Sequence, residues 1–181
     1  MNDQHWYAIR VRKDTEQVAS SALRARGIEE FLPLERTRRK WSDRVKTVDR
    51  PLFPGYVFCR VSFSSSARIL PLQGAVGFVR FGSAPEPIPD VEIHAVKRLV
   101  DSECRLKPMA LVHEGQRVML TAGPFAGLEG ILLNIRDSRH FVVNLTILQR
   151  SLAVAVDGEC APAAGDRWSQ DGAAQARRAG T

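Results

Sequence analysis

The order of apolar and polar residues divides the chain into recognisable pieces. From Trp6 to Val11 the pattern alternates, with Tyr7, Ile9 and Val11 on one side and Trp6, Ala8 and Arg10 on the other. That is the pattern of a half-buried strand. The spacing then becomes helical. Val18, Ala19, Ala22 and Leu23 form an apolar stripe on a helix predicted to open at Asp14, with Gln17 as its capping-box partner and Gly27 just past its end. A second strand is expected over residues 30–34. The densest apolar run follows at residues 51–61, PLFPGYVFCRV. Pro51 and Pro54 lack backbone donors, so the entry to this run cannot be a central strand, and Gly55 permits a bend. From Tyr56 the run is a strand with two faces: Val57, Cys59 and Val61 on one, Tyr56, Phe58 and Arg60 on the other. The second face either offers two aromatics to a partner or is buried like the first, since continuous apolar runs are commonly strands buried on both faces.

Further along, Ser64-Ser65-Ser66 can cap a short helix through Leu70, Gly77 to Phe81 is a short strand, and the three prolines from Ser83 to Pro89 mark a loop. Asp90 caps a helix with Val91, Ala95, Val96, Leu99 and Val100 as its apolar positions. Residues 101–113, with Pro108 and no clear period, are expected to be a linker. A second unit at 114–157 has a tight turn from Thr121 to Gly127 and strands at 128–135, 141–148 and 152–156, the spacing of a small barrel with a thin core. The β-branched run from His140 to Leu148 favours that barrel over a helix. Residues 158–181 are small and polar and are expected to be disordered. The fold class is α+β: a mixed or antiparallel sheet with helices over residues 1–100, a linker, a small barrel and a tail.

Charge narrows the partner. The net charge is +6 and the isoelectric point about 9.7, which points to an anionic partner, nucleic acid first. A solvated basic surface is the alternative. Residues 35–50 gather Arg36, Arg38, Arg39, Lys40, Arg44, Lys46 and Arg50 around Trp41. This segment is a hairpin or loop, either a phosphate-contacting arm or a solvated excursion diluted by Glu35, Asp43 and Asp49. Three separated cysteines without C-x-x-C argue against a disulfide framework and a zinc site, and for a reducing cytosol. No run is long enough to span a bilayer, and the N-terminus lacks a signal-peptide layout. His5, His94, His113 and His140 are scattered, and no H-E-x-x-H, G-x-S-x-G or P-loop is present. No enzyme activity, catalytic residue, metal or cofactor is expected.

Three motifs carry a resemblance: Trp6-Tyr7 on the first strand, PLFPGYVF at 51–58, and GxxVxxxxGPFAGxxG from Gly115 to Gly130. Their order and spacing resemble the NusG family of bacterial transcription elongation factors, and the last resembles its KOW motif. The resemblance implies a NusG-type α/β sandwich followed by an SH3-like KOW barrel. It implies binding to the clamp helices of RNA polymerase beside the non-template DNA strand, with the barrel recruiting Rho or a small-subunit ribosomal protein. It assigns polymerase contact to Tyr7, Phe53, Pro54, Tyr56 and Phe58, and to Ser65 and Ser66 at the opposite cleft wall, where helix capping explains the serines equally well. The DNA-facing positions are Arg10, Arg12, Lys13, Arg26 and Gln73. On the barrel, Phe125, Ile147 and Leu148 are the partner positions, with Phe125 otherwise turn packing. Gly77 to Gly82 is similar to the specialised RfaH and UpxY type. Ile147-Leu148-Gln149-Arg150 lacks the aromatic of the Rho-contacting turn, which favours antitermination. Gln73 stands where RfaH has a DNA-reading arginine, so that target sequence does not carry over. A cytoplasmic monomer is expected. The rival readings are a housekeeping NusG-type factor and a KOW-type protein binding ribosomal RNA.

Overall fold

The computed structural model describes residues 4–40, 45–62, 72–102, 104–135, 138–156 and 168–169. The chain forms two compact units that divide between Asp90 and Val91, ten residues before the boundary expected at 100.

The first unit contains β1 (Gln4–Val11), α1 (Glu16–Ala25), β2 (Glu29–Phe31), β3 (Leu34–Lys40), β4 (Val45–Pro51), β5 (Tyr56–Ser62), β6 (Ala75–Phe78), β7 (Arg80–Phe81) and β8 (Ala84–Pro85). Four strands make an antiparallel sheet in the order β2-β5-β1-β6. β3 pairs with β4, so the basic segment is a hairpin, with Arg36 opposite Asp49 and the two side chains 3.8 Å apart. Pro33 separates β2 from β3, which is why the strand expected over 30–34 divides there.

α1 covers one sheet face. Ala19 and Leu23 pack there with Ile9, Val11, Val57 and Cys59. The helix begins at Glu16, not Asp14. Asp14 lies at φ 64°, in the left-handed region that a short polar residue tolerates, and the Thr15 hydroxyl bonds back to the carbonyl of Arg12 at 2.6 Å. The predicted capping box therefore does not form. Instead the buried Glu16 carboxylate reaches across to the backbone N–H of Gly55, 2.8 Å away. Ser20 and Arg24 both bond Glu30, fixing the helix to β2.

The second unit contains α2 (Asp90–Asp101, apart from its first residue), β9 (Leu106–Ala110), β10 (Gln116–Leu120), β11 (Glu129–Ile135), β12 (Ser138–Leu145), β13 (Arg150–Ala155) and β14 (Trp168–Ser169). They form one antiparallel sheet in the order β14-β10-β11-β12-β13-β9. Within the expected linker at 101–113, Leu106–Ala110 is a strand. β9 pairs with β13 along its length, and Pro108 is tolerated because β9 is an edge. The strand expected to run to Leu148 stops at Leu145, where a 3-10 turn from Thr146 to Leu148 leads to Gln149 at φ 53°. Ile131, Val142 and Ala153 form a core on this sheet. A polar knot lies beside it. The buried Ser151 hydroxyl donates to Asn144 Oδ1 at 2.7 Å and accepts from Val112 N–H at 3.0 Å, while Asn144 Nδ2 donates to the Val112 carbonyl at 2.9 Å. Of the expected tail, only Trp168–Ser169 is among the described residues, and it pairs with β10.

Cysteine chemistry departs from expectation. Cys59 is free and buried, and burial pushes its thiol up to about 12. Cys104 is disulfide-bonded, contrary to the reading drawn from spacing alone. Among the described residues no helix is long and apolar enough to cross a membrane, and no group of three or more His, Cys, Asp or Glu could hold a metal ion.

Candidate functional site

The C-terminal end of β1 is tied to two other segments through its backbone. Val11 N–H donates to the carbonyl of Gly55 at 2.8 Å, and Arg12 N–H to that of Gly74 at 2.8 Å. Gly55, at φ +84°, is held on its other side by Glu16. Gly74, at φ +85°, lies so close to Thr15 that a Cβ there would collide with its side chain. These ties gather Arg10, Arg12 and Lys13 with Pro54, Tyr56 and Gln73 on one rim of the sheet. Arg10 stands between Tyr56 on β5 and Gly77 on β6. Arg10, Arg12, Lys13, Pro54 and Gln73 are exposed and Tyr56 is half-buried. The rim therefore presents three cations, a side-chain amide and one aromatic edge, which suits a phosphate backbone and an unstacked base.

Other expected contacts lie elsewhere. Tyr7 faces α1, opposite Cys59, buried edge-on against Phe78 with ring centroids 5.7 Å apart. Phe58 is fully buried, stacked on Phe31 at 6.1 Å and edge-on to Phe53 at 6.2 Å. The reason is topological. β5 is a central strand flanked by β1 and β2, and Phe31 sits directly opposite Phe58. Phe53 closes over the same face and is itself buried. Pairing with β2 ends at Phe58, so Tyr56 escapes that cover. Of the five aromatic and proline positions, only Pro54 and Tyr56 reach the surface. Tyr7, Phe53 and Phe58, to which the resemblance assigns polymerase contact, are buried, and Phe58 does not share the outward position of Tyr56.

Arg26 follows the end of α1, about 15 Å along the helix from the rim at 1.5 Å per residue. It does not join the other cations. Ser65 and Ser66, with the helix expected there, lie outside the described residues. In the second unit Phe125 is buried and stacked on Phe141, with centroids 6.5 Å apart; Leu148 is buried and Ile147 half-buried. Phe125 and Leu148 are therefore packing residues, not exposed contacts. Pattern reading missed Glu16, Thr15 and Gly74, which hold the rim together through contacts between distant segments. Gly74 beside Gln73 was the one signal available for them.

The family model described as transcription termination factor nusG matches residues 4–97, just over half of the chain. The chain is 27% identical over 168 residues to the transcription termination/antitermination protein NusG of Campylobacter jejuni, covering 86% of this chain and 95% of that one. It is 28% identical over 167 residues to the protein of that name from Pseudomonas aeruginosa, covering 84% and 94%. Among solved structures, one described as "Domain interaction in Thermotoga maritima NusG" aligns at a TM-score of 0.48 and 24% identity, covering 84% of this chain and 92% of that one. The matched stretch takes in the whole of the rim described above, and the chain belongs to the NusG family.

Proposed function

We propose that this protein is a cytoplasmic, non-enzymatic transcription factor that binds the clamp helices of RNA polymerase and the displaced non-template strand. It promotes processive elongation and antitermination of particular operons, as RfaH- and UpxY-type members of the family do. The observation that carries this reading is the rim: Arg10, Arg12, Lys13 and Gln73 exposed beside Tyr56, with no ion pair drawn to these side chains among the described residues. Cations left unneutralised at one edge favour a polyanion. Pro54 and Tyr56 supply the polymerase contact at the surface. Phe53 and Phe58 hold that corner in shape from beneath. The second unit serves as the KOW barrel, supported by its glycine motif and its antiparallel order, and its Phe125 and Ile147–Leu148 loops meet a small-subunit ribosomal protein in preference to Rho. A general housekeeping role is the second reading, favoured by the names of the relatives.

The test is capture of tagged protein from its host, with sequencing of the attached DNA. Recovery of polymerase confined to a few operons supports the specialised reading, and recovery across most transcribed genes supports the housekeeping one. Absence of polymerase subunits overturns both.

A further inference from the structure

Between Phe78 and Ile88 the chain leaves the sheet of the first unit and returns to it. Val79 N–H donates to the carbonyl of Ala8 at 2.8 Å, and Ile88 N–H to that of Trp6 at 2.7 Å, so both feet of the excursion stand on β1. The excursion is the hairpin β7–β8, with Arg80 opposite Pro85 and Phe81 opposite Ala84. Gly82, at φ +72°, makes its tight turn, and Arg80 Nη1 folds back to donate to the Ser83 carbonyl at 3.3 Å. Glu86 N–H closes the base on the Val79 carbonyl at 3.3 Å. On this braced support Phe81 is 83% exposed, and it is the only exposed aromatic among the described side chains.

The hairpin narrows what can cover that ring. Pro85 leaves β8 without a donor at its position, which counts against an added strand. No other large apolar side chain of the hairpin is exposed, whereas a protein interface sets its anchor among further buried contacts. One ring beside a guanidinium instead offers the area of one base and a charge for its phosphate. The guanidinium has five N–H donors, so the Ser83 bond leaves others to give. The hairpin is also continuous with the rim. β6 is an edge strand, Gly77 stands opposite Arg10, and Arg80 follows Gly77 by three residues, at most about 11 Å of chain. A strand whose phosphates lie on Arg10, Arg12 and Lys13 can run along this edge. Glu86 is the one acid between Val79 and Pro89, and it lies beyond β8.

We propose that the β7–β8 hairpin is a second contact for single-stranded DNA, in which Phe81 stacks on one unpaired base and Arg80 meets the adjoining phosphate. This rests on the reading of the rim as a DNA surface. Stacking is uncharged and accepts every base, so Phe81 adds grip without adding sequence readout or salt dependence.

The test uses the full chain as wild type, Phe81→Ala, Phe81→Leu, Phe81→Trp and, as a rim control, Arg12→Ala with Lys13→Ala. Because the Phe81 ring is exposed, none of its substitutions threatens the fold. Each protein is titrated over a range of salt against a short oligo(dT) strand, a duplex of the same length and an oligo(rU) strand. Phe81→Ala should weaken binding of the dT strand at least about fivefold, the low end for one stacked base, with the salt slope unchanged. Phe81→Leu, apolar but without a π face, should be as weak, and Phe81→Trp should bind at least as tightly as wild type. Binding of the duplex, whose bases are already stacked, should not change. Wild-type affinity in Phe81→Ala overturns the hairpin contact, and a weakened rim control in the same titration leaves the rim standing. No strand binding by wild type overturns the rim reading and the hairpin with it. Wild-type affinity in Phe81→Leu, or an equal loss on duplex, overturns stacking. An rU strand bound more tightly than dT, with the same dependence on Phe81, overturns the assignment to DNA.

Discussion

Truncating Phe58 should unfold the first unit before it disturbs any interface. The ring is fully buried and packs against Phe31 and Phe53. Replacing a buried phenylalanine by alanine costs about 3–5 kcal/mol, through lost transfer free energy and the cavity left behind. Each aromatic pair adds about 0.5–1.5 kcal/mol beyond area, so the upper part of that range applies. With a urea slope of about 2 kcal/mol per molar, the midpoint of Phe58→Ala falls by about 2–2.5 M. Tyr56→Ala is the counterpart, two residues earlier on the same strand face. Its side chain is half-buried and lies beyond the end of β2. Its midpoint should move by no more than about 0.5 M, or about 1 kcal/mol. Its affinity for RNA polymerase should fall tenfold or more, about 1.4 kcal/mol. The assay is paired: urea unfolding followed by circular dichroism, and polymerase binding measured below the transition. A Phe58→Ala protein that melts with wild type yet loses polymerase would refute the packing argument, because only an outward ring behaves that way.

Three further outcomes follow from the same geometry. Arg12→Ala with Lys13→Ala should flatten the salt dependence of binding to single-stranded DNA, each lost phosphate contact removing about 0.7 from the slope, as read in a salt titration. Gly74→Ala should destabilise more than Gly27→Ala: both replace a glycine at positive φ, +85° and +69°, at about 1–2 kcal/mol, but only at Gly74 does the new Cβ meet Thr15; equal urea midpoints would remove the close approach. The Cys59 thiol should resist a thiol reagent in the folded chain at pH 8 and react on unfolding; and because the unfolded chain gives up that proton near the ordinary value of 9.0 while the folded chain keeps it until about 12, stability should fall as pH rises through that window, a loss that Cys59→Ala should abolish.

Much of the fold could be read because period and chemistry agreed. The alternation of β1, the stripe of α1 and the proline-bounded entry to β5 each pointed to one local structure. Partnership was harder to read. Alternation shows that Phe58 shares a face with Tyr56 but not that Phe31 and Phe53 cover one of them and spare the other, because that depends on where β2 stops. Pro108 suggested a break, since a proline rules out a central strand but says nothing against an edge. Glu16 carries no mark in the sequence, because only the fold brings it to Gly55. The basic stretch at Arg10 to Lys13 was legible as a candidate site. Arg26 was grouped with it because nothing in the sequence says which end of a helix faces which loop.

The knot of Asn144, Ser151 and the Val112 backbone also bears on how single-minded the C-terminal unit is. Asn144 and Ser151 are direct cross-strand neighbours. Sliding β12 by two residues would keep every side chain on its face but set Asn144 opposite Ala153 or Gln149. Ser151 would then hold a buried hydroxyl without its Asn144 acceptor, and the Val112 carbonyl would lose Asn144 Nδ2. Each orphaned group costs about 1–3 kcal/mol, comparable to a good part of what a sheet this small has in reserve. A helical rearrangement of the same segment would forfeit the three bonds together. The knot thus works as a tooth that meshes at one setting only, making neighbouring registers and alternative conformers of this segment poor competitors even when the surrounding apolar contacts could be rebuilt.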